Sequence, residues 1–192
     1  KLQDRVPPAP FPHIKNLIEG QLKRSLSDIF EEFNPQPLAA ASVAQVHLAK
    51  VRGNDTVAVK VVRPGIRRKI RDDIRLMYRL ATRFEKTFQV GRIMGAVELV
   101  KQFERTINKE LDMFIEAGSI EKFRNNFERS SEICIPKVYW DYTAKSVLVM
   151  EHMDGIKMDQ VDEIKANGID PKNIALIGLR SFSRQLMEFG FF

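Results

Sequence analysis

The apolar positions of this chain follow two rhythms that alternate along its length. Ile14, Leu17, Ile18, Leu22, Leu26 and Ile29 recur at steps of three and four, which predicts a helix from about Pro12 to Phe30. The prolines at 7, 8, 10 and 12 keep the chain before it extended, and Pro35 and Pro37 are expected to end the region. From residue 38 small residues give way to β-branched, alternating ones. Residues 43–51 and Thr56-Val57-Ala58-Val59-Lys60-Val61-Val62 read as two antiparallel strands joined by the turn residues Arg52-Gly53-Asn54-Asp55. Pro64-Gly65 stops the second strand. Ile66, Ile70, Ile74, Met77, Ala81 and Phe84 then predict an amphipathic helix, and Gly91 and Gly95 flank a break. A long helix is expected from Ala96 to Phe127 on Val97, Val100, Phe103, Ile107, Phe114 and Ala117. Strands at roughly 137–142 and 146–151, turning at Thr143-Ala144-Lys145, follow it. Asp154-Gly155 turns the chain again, and a last helix runs from Pro171 to Phe189 with proline in its first turn. Hairpin-length connections and few strand–helix–strand units point to an α+β fold: a small antiparallel sheet flanked by helices, with Lys60 on a central strand.

Composition narrows the function without choosing it. The 192 residues suit one domain, or one lobe and part of another. With 44% hydrophobic and 29% charged residues the chain can bury a core, and a net charge of +6 favours anionic partners. Cys134 is the only cysteine, which excludes a disulfide framework, and its apolar neighbours Ile133 and Ile135 suggest a core thiol. No stretch reaches the roughly 18 apolar residues of a membrane span. The chain starts at Lys1 and stops on Phe189-Gly190-Phe191-Phe192, which reads as a piece of a longer protein.

The chemistry gathers at three places. In Val57-Ala58-Val59-Lys60 a strand can hold an ammonium in a cleft, where phosphate charge would meet it and a nearby carboxylate would offset its desolvation. The same string also describes an exposed strand-edge lysine. Just upstream, Ala39-Ala40-Ala41-Ser42-Val43-Ala44-Gln45 would let backbone amides approach phosphate, though alanine takes positive φ less freely than glycine. The third place is Glu110-Leu111-Asp112-Met113-Phe114-Ile115-Glu116. At about 100° per residue on a continuous helix, Asp112 and Glu116 share one face and Glu110 lies away from both. His13, His47 and His152 show no metal spacing, and Trp140 and the phenylalanines are expected in the core. The face of Arg67, Arg68, Lys69, Arg71, Arg75, Arg79 and Arg83 reads as solvated, with anionic lipid as its alternative partner.

In order along the chain, Leu2-Gln3-Asp4-Arg5-Val6-Pro7-Pro8, the alanine-rich Ala39–His47, Val57–Lys60 with Arg63-Pro64-Gly65, and Glu110–Ala117 resemble the UbiB/aarF-type family of atypical kinases. The resemblance implies a protein-kinase-like N-lobe and the start of a helical C-lobe. The segments would be an N-terminal extension at 1–36, the N-lobe at 37–153 and the C-lobe start at 154–192. It implies an ATP-binding, Mg2+-dependent ATPase that supports ubiquinone biosynthesis at a membrane, on the cytoplasmic face or its organelle equivalent. Ala39, Ala40, Ala41, Ser42, Val43, Ala44 and Gln45 would cover the phosphates. Lys60 would contact them with Glu116 as its helix partner and Asp112 as the fallback. Backbone groups near Glu151 and Met153 would meet adenine. Glu110 and Asp112 match an E-x-D motif that in the family faces an extension carrying K-x-G-Q. That motif, the catalytic loop and the later metal-binding aspartate are missing from these 192 residues, so magnesium ligands are expected beyond residue 192 and the piece alone is expected to be inactive. Further partners implied are anionic lipid or quinone-pathway proteins. The alternatives are a kinase-like regulatory or scaffolding module and a basic membrane-surface protein. Nucleic acid is disfavoured because aromatic residues are sparse on the basic helix.

Overall fold

The computed structural model describes residues 7–190. Its centre is a four-stranded antiparallel sheet in the order β1-β2-β3-β4: β1 Phe30–Ala40, β2 Ala44–Val51, β3 Thr56–Val62 and β4 Val147–Glu151. The β2–β3 hairpin closes where Gly53 and Asn54 both take positive φ, 106° and 71°, a conformation that suits these two residue types. Lys60 lies opposite Val46 on β2 and Leu148 on β4, so the expected central strand is found.

Both faces of the inner strands are covered, which is why β3 is apolar almost throughout rather than alternating. On one face Val57, Val59, Val61, Val147 and Val149 pack against Ile14, Ile18, Leu26 and Ile29. These come from α1 (Phe11–Leu22) and α2 (Leu26–Ile29), where a single helix is predicted. The break is at Lys23, which takes a left-handed φ of 55° and closes α1 on the Glu19 carbonyl. Ser25 then caps α2, accepting from the Asp28 amide at 3.2 Å. On the other face Val62 and Leu148 meet Leu111, Met113 and Ala117.

The helical stretch stops at Ile29, ahead of Pro35 and Pro37, and the two prolines lie inside β1 rather than in a break after the helix. An edge strand bonds on one side only, so residues without an amide hydrogen are tolerated there, and the register with β2 slips on either side of Pro37. β1 also runs across residue 37.

After Pro64-Gly65, α3 (Ile66–Thr87) and α5 (Ala96–Glu110) pack antiparallel through Ile70, Ile74 and Ala81 against Val100 and Ile107, with short α4 (Gln89–Met94) at their tip. The predicted long helix 96–127 is in fact two, α5 and α6 (Met113–Asn126), with an elbow at Leu111-Asp112. Residues 137–142 are not a strand. Val138 makes one bridge to Met150, and Trp140–Tyr142 form a 3-10 turn whose tryptophan is exposed. Phe30 and Phe127 are core, but Phe88, Phe103, Phe114 and Phe182 are half-exposed, and Cys134 is exposed rather than buried. An unexpected short helix, α7 (Val161–Ala166), precedes α8 (Pro171–Arg184), whose cap is Asp170 and which continues as a π turn to Phe189. No helix of the described residues is long and apolar enough to cross a membrane.

Candidate functional site

Lys60 projects from β3 on the face covered by α6, and its Nζ donates to both carboxylate oxygens of Glu116, at 2.7 and 2.8 Å. The two side chains are 28% and 33% exposed, so one side of the pair is open to solvent. Such a half-open pair contributes about 1 kcal/mol or less to stability, because water and salt screen it. Its consequence is orientation. The ammonium is fixed at the sheet surface, with access left for a second anion.

Glu116 reaches Lys60 because of how α6 begins. Asp112 is not helical (φ −102°, ψ 101°), and its carboxylate caps the helix by accepting from Phe114 N at 3.1 Å. Met113 N donates to Lys145 O at 3.1 Å, which hangs the first residue of α6 from the turn before β4. Met113 and Ala117 then pack on the sheet and bring the intervening Glu116 over Lys60. Asp112 and Glu116 therefore do not share a helix face, because the helix assumed for them is interrupted between Glu110 and Met113. Asp112 is committed to the cap. Glu110 ends α5 on the other side of the elbow with its side chain exposed.

The alanine-rich segment is the β1–β2 turn. Ala39 pairs with Val46, Ala40 with Gln45, and Ala41 N donates to Ala44 O at 2.9 Å. None of residues 39–45 has positive φ, in keeping with alanine at these positions. The tip is held from below by Arg63. Its amide donates to Val43 O at 2.8 Å and its guanidinium to Ala41 O at 3.2 Å and to Pro7 O. Sequence reasoning did not single out this role, although Arg63-Pro64-Gly65 stands directly after the lysine strand.

Gln45 differs from its neighbours. Its side chain is 1% exposed on the opposite face of the sheet from Lys60, where it accepts from Ala9 N at 2.9 Å and meets His47 Nε2 at 2.8 Å. His47 Nδ1 lies 2.9 Å from the Asn34 carbonyl, which can only accept. Nδ1 therefore carries the hydrogen and Nε2 accepts from the Gln45 amide. Burial lowers the His47 pKa, opposed by the bond to Asn34, and holds the ring neutral. Only the backbone of Gln45 is available to anything beneath the alanine turn.

Glu151 closes β4. Its amide donates to Lys137 O at 2.8 Å and its carboxylate accepts from Lys137 N at 3.1 Å, while His152 N donates to Thr56 O and Met153 is exposed. Among the described residues no three His, Cys, Asp or Glu side chains are gathered as a metal ion would need. The Leu2–Pro8 run lies outside the described residues except for its two prolines.

The chain matches the ABC1 atypical kinase-like domain over residues 1–192. It is 43% identical over its whole length to a Marinobacter nauticus protein named "Probable protein kinase UbiB", of which it covers 35%. A Pseudomonas fluorescens protein of the same name is 40% identical, with 100% of this chain and 36% of that protein covered. The chain thus spans about a third of these relatives. Among solved structures, one described as the complex of Rv3197 with erythromycin from Mycobacterium tuberculosis aligns with TM-score 0.71 and 29% identity, over 81% of this chain and 38% of that one.

Proposed function

Because the chain belongs to the ABC1 atypical kinase-like family, we propose that its cleft between the alanine turn and Lys60 holds the phosphates of ATP. The observation that carries this reading is the Lys60–Glu116 pair, an oriented ammonium with one open side. Lys60 gives charge-assisted hydrogen bonds to phosphate oxygens, and Glu116 keeps the ammonium from folding away. Backbone groups of Ala39–Gln45 approach the same phosphates, held at the height set by Arg63. Backbone groups at Glu151 and Met153 take the adenine edge. Glu110, exposed on the elbow, is free to meet an N-terminal extension, whereas Asp112 acts through its cap.

Among the described residues no carboxylates gather as a magnesium ion would need, so magnesium, which would neutralise phosphate charge, is assigned no ligand in this chain. The parent activity we propose is that of a kinase-like ATPase supporting ubiquinone biosynthesis, with anionic lipid or quinone-pathway proteins as further partners.

The test is nucleotide binding by calorimetry or a fluorescent analogue. ATP should bind in preference to GTP, and Lys60→Met should weaken it by about tenfold or more, the value of one charge-assisted hydrogen bond. The melting temperature should barely move. Equal affinity of wild type and K60M would remove the reading.

A further inference from the structure

Arg67 stands in the first turn of α3, at the positive end of the helix dipole, where a cation is unfavourable. Arg68 and Lys69 follow it, and that turn holds no acidic residue. The guanidinium of Arg67 does not remain in solvent. Its Nη2 donates to the carbonyl of Leu111, lies 3.1 Å from Lys145 O, and lies 3.3 Å from Ser146 Oγ. Leu111 is buried at the C-terminal end of α5, where carbonyls have no partner within the helix and a cation is favourable. Lys145 O is the same oxygen that accepts the first amide of α6 from Met113. One nitrogen thus joins the elbow between α5 and α6 to the turn that leads into β4.

That junction governs the Lys60–Glu116 distance. Glu116 lies one helical turn beyond Met113, so a shift in the start of α6 carries the carboxylate with it. Lys60 is fixed by its strand, paired with Val46 and Leu148. We infer that Arg67 is a positioning residue: it sets the separation of Lys60 and Glu116 by tying the α5–α6 elbow to the turn before β4. The inference rests on the reading of that pair as the phosphate-facing element, and it assigns a role to a side chain that the sequence places on a solvated basic face.

The test reads Lys60 directly and needs no nucleotide, so its failure is distinct from a failure to bind ATP. An amine-reactive acetylating ester is applied to the folded protein, and modification of Lys60 is followed by mass spectrometry alongside the other lysines. Glu116→Gln sets the rate for a released ammonium. Arg67→Met, which keeps an apolar stem and removes every donor, should raise the Lys60 rate about tenfold, as expected for loss of charge-assisted bonds at the elbow. The other lysines should be unchanged. Arg67→Lys should fall between wild type and R67M, because an ammonium reaches the carbonyls without the fork. Arg71→Met, on the same helix, should match wild type. A lowered melting temperature in R67M with Lys60 labelled at the wild-type rate overturns the inference, leaving Arg67 a merely stabilising residue. A rise shared by all lysines overturns it too. If R67M does not fold, R67K decides: an intermediate Lys60 rate supports the positioning role, and a wild-type rate refutes it.

Discussion

Asp112→Ala should destabilise the protein, and the sign of the change is the point. On an unbroken helix through residues 96–127, replacing an interior aspartate by alanine would gain up to about 0.7 kcal/mol of helix propensity. Here Asp112 is instead the residue before α6. Its carboxylate accepts from Phe114 N at 3.1 Å, and its carbonyl accepts from Ile115 N at 3.0 Å. Removing such a cap costs about 1 kcal/mol, within a range of roughly 0.5–2. The carboxylate also faces the positive end of the α6 dipole, which adds to the loss at low salt. For a chain of this size that is a melting temperature lower by about 2–4 °C. Thermal melts and urea titrations would read it, with an unchanged m-value if only stability is affected. Asp112→Asn and Asp112→Ser, both good caps, should recover most of the loss. A D112A protein as stable as wild type, or more stable, would mean the elbow is absent in solution and α5 and α6 are one helix.

Three further outcomes follow from other parts of the molecule. His47 has its pKa lowered by burial from its ordinary value of 6.5, so the unfolded chain binds its proton first as pH falls. Stability should be full above about pH 6.5 and decline below it toward the folded pKa, and a melting curve series whose slope over that window is the same in His47→Gln would refute this. Gly91→Ala would place a Cβ 2.7 Å from Phe84 Cδ1 and 2.8 Å from the Phe84 carbonyl. Because the carbonyl is backbone and cannot rotate aside, a loss of about 1–3 kcal/mol is expected in urea unfolding, and a neutral result would show that the α3–α4 turn is looser than described. The 192 residues alone should release phosphate from Mg-ATP no faster than their K60M variant; faster release by the unsubstituted chain in a coupled phosphate assay would contradict this.

The parts of the fold legible in the sequence are those fixed by local chemistry. The β2–β3 hairpin follows from β-branched runs around Gly53-Asn54, and α3 from apolar steps of three and four after Pro64-Gly65. Lys60 is placed by the strand that carries it. What was not legible depends on position in the folded molecule. β1 holds two prolines that would bar an inner strand, and its place at the sheet edge was not encoded locally. The elbow at Leu111-Asp112 lacks glycine or proline, and the apolar period runs through it unbroken. The available signal was an aspartate directly before Met113-Phe114-Ile115, the position a cap would take. Gln45 sits among residues that suggest a phosphate cover, yet strand alternation turns its side chain to the far face. Arg67 reads as a member of a basic surface, and Arg63 only as part of the Arg63-Pro64-Gly65 run, because the acceptors of both are mainly backbone carbonyls, which leave no trace in a sequence.

The two borders of the sheet have a consequence for what the lobe can recruit. At one border β1 carries Pro35 and Pro37 and loses register around them. At the other, residues 137–139 already occupy the outer bonds of β4, through Tyr139 N to Val149 O and Glu151 N to Lys137 O. Neither border offers the flat row of free amides and carbonyls onto which an extended peptide adds itself. The sheet is thereby shielded from growing into stacked copies of itself, and whatever docks on this lobe must do so against helices and side chains rather than by lengthening the sheet.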